Sequence, residues 1–137
     1  MNVRLPRDEN IRIANEDDIG RIMQKILLRQ KRINRQKEYF WTIGLNTAYD
    51  IQYIELVALG ALNKVAIDPV EIFHIAVSKK CKSIILVHNH PSGTLKPSQA
   101  DKNLTRSLIK AAEILKIEIL DHVIITEEGY RGFINEV

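Results

Sequence analysis

The run His88-Asn89-His90-Pro91-Ser92-Gly93-Thr94-Leu95-Lys96-Pro97-Ser98-Gln99-Ala100-Asp101 gathers most of the polar groups in this chain that could do chemistry. It follows Ser83 to Val87, a short apolar run that reads as a strand buried on both faces. Side chains alternate along a strand, so His88 and His90 emerge on one face with their Cα atoms about 6.5–7 Å apart, within reach of one ion. Pro91 and Gly93 turn the chain back, and Asp101 falls in the first turn of the next helix, where its carboxylate supplies a third ligand. Two neutral imidazoles and one carboxylate suit Zn²⁺, and three protein ligands leave the fourth tetrahedral position open, as catalytic zinc sites do. A second reading stands beside this one. Ser98-x-x-Asp101 has the spacing of a helix capping box, and a His-x-His pair can be two hydrogen-bonded strand residues. The combination favours metal, because so many polar groups at the mouth of a buried strand are costly unless something compensates them.

The elements that must hold these residues are legible from periodicity. Ile19, Ile22, Met23, Ile26 and Leu27 recur at helical spacing behind Asn15 and three acidic residues, which predicts a helix over about 16–29. Tyr39 to Leu45 and Ile51 to Leu59 read as a hairpin around the turn 46–50, with Tyr39, Phe40 and Trp41 as core residues. Asp68 caps a helix that starts at Pro69 and reaches about Lys79. Ser98 to about Lys116 is helical, and Asp121 to Thr126 and Tyr130 to Ile134 close the chain as strands. The order helix, β, β, α, β, α, β, β describes an α/β (α+β) domain with helices packed on a central mixed sheet.

Composition bounds the rest. The 137 residues, 45% hydrophobic, suffice for a single core without disulfide or metal staples. The lone Cys81 has no intramolecular partner, and the polar start shows no apolar signal core, so a cytoplasmic location is the expectation. No apolar run approaches the roughly 18 residues of a spanning helix, so no membrane partner is expected. The net charge of +3 decides nothing by itself. One basic block stands out: Arg29, Lys31, Arg32, Arg35 and Lys37, with no acidic residue until Glu38. Such a block is a candidate contact for a DNA backbone, or else a solvated connector after a helix.

His88-x-His90, seven residues, Ser98, two residues and Asp101 resembles the JAMM signature of JAB/MPN-domain metalloproteins. His-Asn-His-Pro-Ser-Gly followed by Pro-Ser-x-x-Asp is similar to the RadC branch in particular. Glu55, Gly60-Ala61-Leu62-Asn63, Pro69-x-Glu71-Ile72-Phe73, Ile84-Ile85-Leu86-Val87 and Leu120-Asp121-His122 follow in RadC-like order, so the likeness covers roughly residues 37–137. It divides the chain into an N-terminal helical, basic extension over 1–37 and a RadC-like JAB/MPN domain over 38–137. The resemblance implies a cytidine-deaminase-like mixed sheet between helices, zinc held by His88, His90 and Asp101, and Ser98 supporting an oxyanion. It also requires an upstream Glu as general base, for which Glu55 is the candidate and Glu71 the rival. Val70 stands where the family usually has Arg and Ala61 where it usually has Thr, and nothing in 1–37 looks like the helix-hairpin-helix-like region of full-length RadC proteins. His122 is expected beside the site or in the core, and His74 and Cys81 are expected to serve packing.

The implied function is a zinc-dependent metallopeptidase or isopeptidase-like hydrolase, in which a metal-activated water attacks an amide carbonyl of a peptide or isopeptide substrate. The alternatives are a DNA-repair-associated DNA-binding or nuclease protein, and a metal-bound module without catalysis.

Overall fold

The computed structural model describes residues 1–7, 9–10, 12–60 and 67–137. The Ala61-Leu62-Asn63 part of the family-like motif, with the Ala61 departure, lies outside the described residues.

The predicted elements form, with shifted ends. α1 spans Glu16–Leu28, with Asn15 and Asp18 forming a reciprocal capping box. β1 (Glu38–Leu45) and β2 (Ile51–Gly60) make the hairpin. In their turn the Asn46 side-chain oxygen accepts from the Ala48 and Asp50 N–H groups. α2 spans Pro69–Ser78 behind the Asp68 cap. β3 is Ser83–Asn89, and α3 is Gln99–Leu115. β4, Glu118–Ile125, begins three residues before the expected Asp121, because Lys116 in a left-handed conformation (φ 57°) ends α3 abruptly. β5 is short, Tyr130–Gly132, and the chain then turns into a 3-10 helix over Ile134–Glu136.

The five strands form one sheet in the order β2-β1-β3-β4-β5. β3 pairs antiparallel with β1 and parallel with β4, so it is the central strand, and all seven of its residues are buried. Alternation divides the core into two layers. Tyr39, Trp41, Ile43, Leu45, Ile85, Val87, Val123 and Ile125 face α1. Phe40, Ile84 and Leu86 face the other way, toward Ile72, Phe73 and Ala76 of α2 and Leu108 and Ala112 of α3. The sheet therefore lies between helices, as expected.

α1 supplies one wall of this core. Ile19, Ile22, Met23, Ile26 and Leu27 are at most 2% exposed, and each such side chain contributes about 1.5–3 kcal/mol on burial. The boundary expected at residue 37 is therefore not a break in packing. Replacing Ile26 by Ala is expected to lower stability by about 2–5 kcal/mol. Urea unfolding checks it: an unchanged midpoint would mean that α1 is dispensable to the sheet.

Candidate metal centre

β3 delivers the two histidines. His88 is its penultimate residue and is 1% exposed, and His90 follows the strand end with its N–H donating to the Ile125 carbonyl. Gly93 then takes φ 87°, a conformation that favours glycine, and its N–H closes the turn on the His90 carbonyl. The chain returns at Ser98, the N-cap of α3, whose side-chain oxygen accepts from the Asp101 N–H at 3.0 Å. In return Asp101 Oδ2 accepts from the Ser98 N–H at 2.9 Å. The capping box and the ligand group are thus one structure.

The potential ligand atoms converge. His88 Nε2 and His90 Nε2 are 3.0 Å apart. His90 Nε2 lies 3.1 Å from Asp101 Oδ2, and His88 Nε2 lies 3.4 Å from Asp101 Oδ1. Each ring is fixed through its other nitrogen. His90 Nδ1 is 2.9 Å from the Thr94 carbonyl, which only accepts, so that nitrogen carries a proton and Nε2 of the neutral ring presents a lone pair. His88 Nδ1 is 2.7 Å from His122 Nε2, and His122 Nδ1 is 2.7 Å from Thr105 Oγ1. Phe40 stacks parallel to His88 with ring centroids 6.1 Å apart, and Phe133 packs on His122 at 4.5 Å. Two imidazoles and a carboxylate with their lone pairs directed at one point fit a divalent cation, and the nitrogen and oxygen donors fit zinc.

Electrostatics agree with that fit. Burial alone would raise the Asp101 pKa, yet the positive charge that the adjoining His88 and His90 rings can carry holds it far below the usual carboxylate range. Burial also opposes protonation of His90, and the Asp101 carboxylate with the Thr94 carbonyl overcomes it and raises that pKa. Complete burial, helped by His88, drives the His122 pKa well down, so this ring is neutral.

The site opens into a cavity of about 750 Å³ whose lining includes Glu38, Phe40, Ile67, Lys96, Ser98 and Leu104 beside the three candidate ligands. Glu38 is the carboxylate that sequence reasoning missed. Phe40 pairs with His88, so the antiparallel register carries Glu38 to the level of His90, on the face that Phe40 shares with the histidines. Its charge contributes to raising the His90 pKa. Asn89 pins this segment in place: it accepts from the Tyr39 N–H at 2.6 Å and donates to the Lys37 carbonyl at 2.9 Å, one bond on each side of Glu38.

Glu55 stands elsewhere. It pairs with Thr42 on the outer strand β2, which puts its backbone about 10–12 Å from His88 by strand spacing and rise. Its carboxylate accepts from the Met1 ammonium and lines a separate cavity with His74 and Ser78 of α2 and Lys79, which caps it. Glu71 is exposed in the first turn of α2, where a negative charge suits the helix dipole.

The basic block divides. Arg29 donates to the Arg4 carbonyl, and Arg35 donates to the Leu28 and Gln30 carbonyls and pairs with Glu127. These two tie down the end of α1 and its surroundings. Lys31, Arg32 and Lys37 are exposed, and Arg32 lines a second cavity, of about 590 Å³, on the far side of the His90-Pro91-Ser92 turn.

Comparison with known proteins places the chain. The family described as the RadC-like JAB domain matches residues 13–136. The chain belongs to that family. Curated relatives called UPF0758 proteins resemble this RadC-like JAB domain. One from Alkaliphilus metalliredigens is 38% identical over 124 residues, covering 90% of this chain and 51% of the relative. One from Chlorobium phaeovibrioides is 38% identical over 135 residues, 97% and 58%. One from Pelodictyon phaeoclathratiforme is 44% identical over 97 residues, 71% and 44%. The chain therefore spans about half the length of the curated relatives it matches. No helix among the described residues is long and apolar enough to cross a membrane.

The pKa shifts set a pH dependence for the metal-free domain. A raised His90 pKa contributes stability that is fully present below the unfolded value of about 6.5 and is lost as pH rises through the higher folded value. Metal-free protein is expected to lose stability as pH rises above about 6.5, and Asp101→Asn to flatten that slope. A cation held by these donors would reverse the sign, because protons compete for the same nitrogens and its affinity would rise with pH. Thermal melts across this range, with and without zinc, check both signs.

Proposed function

We propose that this RadC-like JAB domain is a zinc-dependent hydrolase that cleaves an amide bond of a peptide or isopeptide substrate by attack of an activated water. The observation that carries the reading is the convergence of His88 Nε2, His90 Nε2 and the Asp101 carboxylate within 3.4 Å at the floor of an open cavity. A zinc ion at that donor set supplies Lewis acidity and acidifies water to a pKa of about 7.

The chain's own residues supply the rest. Glu38, on the cavity wall at the level of His90, takes the proton of the attacking water and returns it to the leaving amine. Ser98 Oγ accepts from the Asp101 N–H, and that bond leaves its own hydroxyl proton to be donated to a developing oxyanion in the cavity it lines. Phe40, Ile67 and Leu104 give the cavity an apolar wall for the flanking part of the substrate. Glu55 keeps a place as the base only if its strand brings it across to the histidines, and the register argues for Glu38.

The test begins with elemental analysis of the purified protein beside a His88→Ala, His90→Ala double variant, with near-stoichiometric zinc expected in the first and none in the second. Hydrolysis of a peptide and isopeptide panel follows. Glu38→Gln is expected to lower the rate by about 10²–10⁴-fold with zinc retained, and Glu55→Gln to leave it within a few-fold of wild type. The reverse ranking would return the role to Glu55. A zinc-loaded wild type no faster than Asp101→Ala on every substrate would leave the domain a metal-binding module.

A further inference from the structure

His88 is a ligand through Nε2 only if its ring carries the proton on Nδ1, and the neighbour at that nitrogen, His122, could by itself either donate or accept there. We infer that Thr105, a residue touching no ligand side chain, sets the His88 tautomer through His122 and is thereby a positioning residue for the metal centre.

The inference starts from a short contact between two oxygens. Thr105 Oγ1 lies 2.7 Å from the Asp101 carbonyl oxygen, a distance that requires a proton between them. A carbonyl only accepts, so the single hydroxyl proton is spent there. Thr105 Oγ1 is also 2.7 Å from His122 Nδ1, and with its proton used it can only accept, so Nδ1 of His122 carries a hydrogen. His122 is fully buried and, among the described residues, has no carboxylate as a hydrogen-bond partner, so it is neutral and its Nε2 is a bare acceptor. That nitrogen stands 2.7 Å from His88 Nδ1, which must therefore donate. The proton of His88 is held on the far side of the ring, and the Nε2 lone pair points at His90 and Asp101. Thr105 and His122 are 0% exposed, so water cannot substitute a different pattern. One hydroxyl thus links α3, which carries Asp101, to His122 on β4, and through that ring to His88 on β3.

The consequence for metal rests on the zinc reading above, whereas the tautomer itself does not. Thr105→Val keeps the shape and removes the acceptor. The His122 proton then moves to Nε2, donates to His88 Nδ1, and leaves His88 protonated on the nitrogen that must bind the ion. Thr105→Ser retains the hydroxyl.

Two measurements test this. Long-range ¹H–¹⁵N spectra of the metal-free full chain near pH 8 are expected to show His88 protonated on Nδ1 in wild type and Thr105→Ser, and on Nε2 in Thr105→Val. Zinc Kd, read by competition with a chromophoric chelator, is expected to rise about 10–100-fold in Thr105→Val and to stay within about threefold of wild type in Thr105→Ser. Wild-type His88 protonated on Nε2 overturns the inference, as does a folded Thr105→Val variant that keeps the wild-type tautomer. If Thr105→Val does not fold, the wild-type spectrum decides alone. If wild type binds no zinc, the hydrolase reading fails while the spectra still decide the tautomer.

Discussion

Three groups bearing lone pairs face one another across 3.0–3.4 Å, and holding them there is the constraint around which the fold is arranged. Left to themselves they would turn toward water or toward separate donors. The central position of β3 prevents that. Strands on both sides and helix-backed layers on both faces fix the His88 backbone, and Phe40 and Phe133 leave its ring and that of His122 one orientation. The remaining freedom, which nitrogen faces the cavity, is removed by the Thr94 carbonyl for His90 and by His122 for His88.

The capping box and the ligand carboxylate are not competing interpretations of Ser98 and Asp101. Oδ2 of Asp101 accepts from the Ser98 N–H at 2.9 Å and faces His90 Nε2 at 3.1 Å, while Oδ1 faces His88 Nε2. The cap holds the carboxylate in a single orientation, so the same bonds that start α3 aim its charge. An Asp in place of the usual Glu or Gln has a local reason here: its shorter side chain keeps the carboxylate at the helix end, within reach of both rings.

Much of this was readable in the residues because the rules involved are local. Alternation put His88 and His90 on one face, the Pro/Gly turn brought the chain back, and the continuous apolar run of β3 announced a strand buried on both sides. What escaped were relations between strands. Glu38 and Glu55 both sit on strands of the hairpin, and only the register of β1 on β3 shows that Glu38 reaches the level of His90 while Glu55 lies one strand further out. His122 is 34 positions from His88, and the parallel pairing of β3 with β4 brings it within 2.7 Å. Asn89 lies between the two histidines with no role that its position in the sequence announces. It proved to hold the Glu38 segment from the opposite face, a role that needs a tertiary partner to be visible.

The site also shows what the fold must include for its geometry to persist. Every residue invoked, from Glu38 through Asp101, Thr105 and His122 to Phe133, lies within the 13–136 segment that matches the family. α1 belongs to the same unit in physical terms: its apolar face covers Tyr39, Trp41 and Val87, the reverse side of the strands whose other faces carry Glu38, Phe40 and His88. A strand position cannot be held from one face only, because a side chain gains its orientation from a backbone that both layers immobilise. The helix that the family likeness set apart as a basic extension is therefore the backing of the candidate metal centre, and its basic end is tied through Arg29 and Arg35 to the Arg4, Leu28 and Gln30 carbonyls.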